Sequence, residues 1–275
     1  MAIVTQMADR AAPMAQVIAL HCSGANGRQW RQLGSQLEPT FAFAAPDHMD
    51  SSNLCTTRAG VPFSLADEAA ATLDIIDASD RPIHLVGHSY GGAVALHVAR
   101  MRPERIASMS LYEPTAFHLL HDMGLDGRIG HAEITHLSNR VARFISRRDF
   151  EAAAVCFVTY WGGEDAWQAL RPEQRAALAQ WAPKAVFDFE ALLNEPSRLQ
   201  DFSGLAMPIL LMRGAHSPDP GRVIARHLLQ ALPTSRCVCF TDAGHMGPLT
   251  HATDVAHFIT HHILAASGVE RRAAA

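Results

Sequence analysis

The sequence predicts an α/β fold, a mostly parallel central sheet flanked by helices, and three observations predict it. Short apolar runs recur along the chain as continuous stretches, the pattern of strands buried on both faces. Helical stretches long enough to cross over a sheet lie between them. One of those runs, ending at Val86, passes directly through Gly87-His88-Ser89-Tyr90-Gly91 into a helical segment, a strand, sharp turn and helix in immediate succession.

The elements follow in order. Residues 3–6 fit an edge strand, and 17–20 and 41–45 are the first two internal strands. A helix is expected over 65–78, opened by Ser64 as its cap with Asp67 and Glu68 in the first turn. A strand at 83–86, a helix at 91–101 and a strand at 106–112 complete the first half. From 115 to 203 no strand stands out, while 133–147, 148–160, 172–181 and 184–193 have helical patterns. The alternation then resumes with strands at 209–212 and 237–240 and helices at 222–232 and 254–266. This divides the chain into a core of 1–114 and 204–275 and a helical insertion of 115–203. More than half of the aromatic residues lie in the insertion, including Trp161, Trp167 and Trp181. They form either its own core or the lining of an apolar pocket against the sheet.

Composition excludes several function classes. Hydrophobic residues make up 48% and charged residues 18%, which fits a folded domain with a sizeable core and not a disordered chain. A net charge of -4 with no Lys/Arg cluster lacks the footprint that phosphate backbones or anionic lipid surfaces require, so no nucleic-acid or membrane partner is expected. Five scattered cysteines indicate a reducing compartment and not a disulfide framework. The first residues have neither the basic start nor the apolar run of a secretory signal, and no run is long enough to span a bilayer, so a cytoplasmic location is expected.

Ser89 is the first candidate for chemistry. A hydroxyl is a weak nucleophile until a base takes its proton; a strand-to-helix turn exposes it, and the helix N-terminus favours the negative charge that develops. Gly87 and Gly91 allow the tight turn. The strand, G-x-S-x-G and helix together resemble the alpha/beta-hydrolase family. That resemblance implies the family fold, with a helical cap inserted after the sixth family strand, and directs attention to two further segments. After an early strand the chain reads Leu20-His21-Cys22-Ser23-Gly24, where the family places an oxyanion loop; the implied donors are the amides of Ser23 and Tyr90. Cys22 stands where glycine is usual. After the last strand comes Asp242-Ala243-Gly244-His245, which makes His245 the implied general base, singled out from 16 histidines by its context. His257 and His261, at helical spacing, lack a third ligand and do not make a metal site. Cys237 and Cys239 read as core residues of their strand.

The triad acid is where the chain departs from the family. Its usual slot, three residues beyond Gly214, holds Ser217, which carries no charge to stabilise an imidazolium. Glu113, at the end of the preceding strand, is the first candidate, because some haloalkane dehalogenases of this family take their acid from that place; a buried carboxylate there needs a partner such as an imidazole N–H. Asp219, between two prolines, is the alternative. A serine nucleophile, where the family's epoxide hydrolases and haloalkane dehalogenases carry aspartate, argues against both of those activities. The implied activity is a serine-dependent hydrolase acting on a small or medium apolar ester or related carbonyl compound, with no metal or organic cofactor. Carbon-carbon bond hydrolysis of a diketone and cofactor-free perhydrolysis are the alternatives within the family. A ligand-binding protein that keeps the fold without turnover is the alternative from another class, favoured by the serine at 217.

Overall fold

The structure is a computed structural model that describes residues 15–50 and 61–268. The edge strand expected at 3–6 lies outside the described residues. Six parallel strands form one sheet in the order β2-β1-β3-β4-β5-β6: β1 Gln16–Leu20, β2 Ala42–Ala44, β3 Ile83–His88, β4 Ile106–Tyr112, β5 Ile209–Gly214 and β6 Ser235–Phe240. The helices are α1 Arg31–Leu37, α2 Leu65–Ala78, α3 Tyr90–Met101, α4 Gly124–Ser146, α5 Phe150–Gly162, α6 Pro172–Asn194, α7 Asp219–Ala231, the short α8 Gly247–Thr250, and α9 Ala252–Ala266.

Alternate residues of the central strands enter two separate cores, which is why their apolar runs are uninterrupted. Ile18, Leu20, Leu85, Met109 and Leu111 pack on the face covered by α2, α3 and α7. Val17, Ala19, Val86, Tyr112 and Leu210 pack on the opposite face with residues of α1 and α9. Each fully buried aliphatic side chain in these layers contributes roughly 1.5–3 kcal/mol. The start of α2 has the expected cap: Ser64 Oγ accepts from the Asp67 amide and the Asp67 carboxylate accepts from the Ser64 amide, at 3.2 and 3.0 Å.

Three expectations are corrected. The helices read as 172–181 and 184–193 are one, α6, because Pro183 removes a single amide donor while buried Ala182, Lys184, Ala185 and Asp188 hold the chain on its course. The segment ahead of 133 is helical too: α4 begins at Gly124, its first turns masked in the sequence by low-propensity Gly124, Gly127 and Gly130. Cys237 and Cys239 are exposed, not core, because β6 ends the sheet and its outer residues have little packed over them. The 31–37 helix has no counterpart among the expected elements. No helix among the described residues is long and apolar enough to cross a membrane.

Candidate active site

The loops at the C-terminal ends of β1, β3, β4, β5 and β6 meet over the middle of the sheet, where a doubly covered parallel sheet opens its crevice. Ser89 stands between β3 and α3 with φ 55° and ψ −118°, a conformation that costs a non-glycine residue energy and must be held by its surroundings. They hold it well. The Ser89 amide donates to the Tyr112 carbonyl at 3.0 Å, and its own carbonyl accepts from the amides of Gly92, Ala93 and Thr115. The turn can close only on glycines: a Cβ on Gly87 would lie 2.6 Å from the Gly91 carbonyl oxygen, and one on Gly91 would lie 2.4 Å from that of Leu20.

His245 follows β6, 2% exposed. Its Nε2 is 2.9 Å from Ser89 Oγ and its Nδ1 is 2.7 Å from Glu113 Oε2. An ionised carboxylate only accepts, so Nδ1 carries the proton and Nε2 is left to accept from the serine hydroxyl. The ring lies against Trp161, with centroids 4.1 Å apart.

Glu113 directly follows β4, with φ 43°, and is fully buried. Its second oxygen, Oε1, accepts from the Gly214 amide at 2.7 Å and from the Ser217 hydroxyl at 2.5 Å. Ser217, in the acid's usual slot, therefore donates to the carboxylate that has taken the acid's place. Asp219 is brought elsewhere: it opens α7, largely exposed, and pairs with Arg222.

The loop after β1 carries Ser23, and Tyr90 is the first residue of α3, where an amide has no intrahelical acceptor. This loop is fixed from both sides, by the Gly91 amide on the His21 carbonyl at 3.1 Å and by the Cys22 amide on Gln29 Oε1 at 3.2 Å. Burial raises the Cys22 thiol to about 12 and lowers the His21 imidazole to about 3, His48 adding to the latter.

Between these groups and the insertion lies a small cavity of about 10 Å³, room for one water molecule. Phe117, Phe157, Trp161, Phe189 and Leu192 supply its apolar wall, with Ser23, Ser89, Thr115 and Asp188 as the polar side. Of the insertion's tryptophans, Trp161 faces this cavity; Trp167 is buried in the core with Arg175 over its ring, and Trp181 stacks edge-on against Phe157.

Sequence reasoning missed several contributors. His88, in the variable position of the elbow, places Nε2 2.8 Å from the His245 carbonyl and Nδ1 3.1 Å from the Gln29 amide nitrogen. Burial, with His245 nearby, holds His88 well below its ordinary range, so the ring is neutral and donates to the carbonyl from Nε2. Tyr112 donates to the Gly244 carbonyl at 2.8 Å, supporting the same loop. Lys184 and Asp188 are buried on α6, where Lys184 pairs with both Asp188 and Glu68; a charged i,i+4 pair within an otherwise apolar helix face is the signal that could have found them.

A model of the alpha/beta hydrolase family matches residues 17–258. A pimeloyl-[acyl-carrier protein] methyl ester esterase of Methylococcus capsulatus is 28% identical over 92% of this chain and 95% of its own. The lipase LipV of Mycobacterium tuberculosis is 34% identical over 36% of this chain; the match spans only 37% of that protein. Among solved structures, the carboxylesterase CesB of Bacillus subtilis superposes with a TM-score of 0.65 at 17% identity, covering 93% of this chain and 85% of its own. With the family model matched across nearly the whole sheet and its helices, the chain belongs to the alpha/beta hydrolase family.

Proposed function

We propose that the protein is a serine-dependent hydrolase that cleaves esters of small or medium apolar acyl groups through an acyl-enzyme on Ser89. The carrying observation is the unbroken hydrogen-bonded line from Glu113 through His245 to Ser89, which lines a cavity with an apolar wall. Ser89 Oγ attacks the ester carbonyl while His245 Nε2 takes its proton, and Glu113 steadies the imidazolium. The amides of Ser23 and Tyr90 receive the oxyanion. Collapse expels the alcohol, which takes the proton from His245. Water then attacks the acyl-enzyme with His245 as base, the acid departs, and the proton returns to Ser89.

The esterase and lipase names among its relatives support this reading, and so does the apolar wall formed by Phe117, Phe157, Trp161, Phe189 and Leu192. The serine at 217 favours a protein without turnover, whereas Glu113 in hydrogen-bonding reach of the imidazole supports turnover. In this reading the 115–203 segment is a gated cap over a core of 1–114 and 204–275, and the small cavity beneath Trp161 supports it.

Intact mass after treatment with a fluorophosphonate tests the nucleophile without a known substrate. A single adduct, absent in Ser89→Ala, is expected, together with hydrolysis of p-nitrophenyl esters that depends on Ser89. Folded protein that neither forms the adduct nor hydrolyses any activated ester would overturn the proposal and leave a binding protein.

A further inference from the structure

The two residues proposed to supply the oxyanion amides have side chains that converge on one buried cation. Ser23 Oγ donates to Asp188 Oδ2 at 2.6 Å, and the Tyr90 hydroxyl donates to Glu68 Oε2 at 2.8 Å. Lys184 Nζ donates to Asp188 Oδ1 and to that same Glu68 oxygen, each at 2.5 Å. Lys184, Glu68 and Asp188 are 3%, 4% and 3% exposed. Nζ also lies 4.7 Å from the centre of the Tyr90 ring. A second branch reaches the same loop: His48 Nδ1 is 3.5 Å from Glu68 Oε1, while its Nε2 donates to the His21 carbonyl at 2.8 Å.

Burying three charges costs several kcal/mol per ion before they attract one another, and apolar side chains of similar size often serve stability equally well. Removing one partner, by contrast, leaves an uncompensated charge. Here the arrangement ties together α6 from the insertion, α2 from the core, and the two oxyanion segments. We infer that Lys184 is a positioning residue for the oxyanion site, fixing the separation and direction of the Ser23 and Tyr90 amides by holding both side chains through Asp188 and Glu68. Lys184 also offsets the charge of Asp188, whose residue lines the cavity with Ser89; an uncompensated carboxylate there would oppose the oxyanion as it forms. The insertion thus completes the catalytic site as well as covering it. This inference rests on the hydrolase reading.

The test uses the full chain with p-nitrophenyl butyrate as substrate and a butyl trifluoromethyl ketone as mimic of the oxyanion. Lys184→Met is compared with the uncharged triple variant Glu68→Gln/Lys184→Met/Asp188→Asn, and with Tyr90→Phe, which deletes only one hydroxyl. In folded Lys184→Met and in the triple variant, kcat should fall about 10²-fold, with KM within about 3-fold of wild type, and the ketone should bind correspondingly more weakly, as for loss of an oxyanion donor. Tyr90→Phe should lose roughly 10-fold in both kcat and ketone affinity, the effect of one hydrogen bond to a charged group. If Lys184→Met does not fold, the other two variants carry the test.

Wild-type kcat and ketone affinity in the folded triple variant, or in Tyr90→Phe if the triple does not fold, would reduce the network to a fastening between α6 and the core and overturn the inference. A loss confined to KM would do the same. Fluorophosphonate labelling of the wild-type protein separates the two levels. Folded protein with no Ser89 adduct and no hydrolysis of activated esters overturns the hydrolase reading itself. An adduct with network variants that turn over normally overturns only the role of Lys184.

Discussion

Glu113 receives three hydrogen bonds, from His245, the Gly214 amide and the Ser217 hydroxyl, with no solvent exposure. A carboxylate so held orients the imidazole and stabilises its charged form, which an amide cannot do. Glu113→Gln should therefore lower kcat about 10³- to 10⁴-fold, whereas Ser217→Ala, leaving two of the three bonds, should cost roughly 10-fold. Asp219→Asn should leave turnover unchanged, since that side chain pairs with Arg222 in solvent. Steady-state kinetics on the three variants checks the ranking, and Asp219→Asn as the most damaging would return the acid to position 219. Ser89→Ala and His245→Ala should each cost at least ~10⁴-fold, because members of such a unit do not act independently. Cys22 gives a different test. Its thiol is buried and raised to about 12, so it holds almost no thiolate at neutral pH. Iodoacetamide followed by peptide mapping should leave Cys22 unmodified in the folded enzyme while exposed Cys237 and Cys239 react; rapid alkylation of Cys22 would contradict the packing of the loop.

At the level of elements, α5 and α6 do two kinds of work. Trp161, near the end of α5, stacks on Phe117 and on the His245 ring and faces the cavity. Trp167, in the turn after α5, is 6% exposed and lies in the core beneath Arg175. Their replacement should separate specificity from packing. Trp161→Ala should shift the preferred acyl chain toward longer esters by vacating the apolar wall. Trp167→Ala should instead destabilise the protein by about 3–5 kcal/mol and alter all substrates alike. Chain-length profiles and urea unfolding of both variants decide it, and an unchanged chain-length profile in Trp161→Ala would remove it from the acyl site. The same distinction explains what the sequence concealed: aromatic enrichment in the insertion was plain, but periodicity alone cannot say which ring faces the sheet and which its own helix pair.

For the whole molecule, the buried histidines predict how stability depends on pH. His21 is lowered to about 3, chiefly by burial and then by His48, while His84 and His118 are lowered to about 4, both chiefly by burial. In the unfolded chain each titrates near 6.5. Between the folded and unfolded values the unfolded chain binds protons that the folded chain does not, so stability is complete above about pH 6.5 and declines as the pH falls toward 4. For His84, which is 1% exposed, the contribution is on the order of 3 kcal/mol across that window. Urea midpoints should fall steadily from pH 7 to pH 4.5, with net proton uptake on unfolding near pH 5; a flat profile over that range would show that these rings are protonated in the folded state.

The strands, the elbow and the two residues on either side of the key hydrogen bond were legible because their information is local. Continuous apolar runs report burial on both faces, and G-x-S-x-G between a strand and a helix specifies its own backbone, since Gly87 and Gly91 sit where no Cβ fits. Glu113 was legible only as one of two candidates, for a carboxylate's role depends on what the fold brings to it. The structure brings Glu113 to His245 and points Asp219 toward Arg222. Tertiary structure alone decided that Ser217 would donate to Glu113, that His88 and Tyr112 would support the histidine loop, and that the Lys184 and Asp188 pair would meet Glu68, distant in the chain, beneath Ser23 and Tyr90. The physical reason is the range of the interactions: backbone preference and apolar periodicity act over a few residues, whereas a buried charge becomes intelligible only beside the partners that distant segments supply.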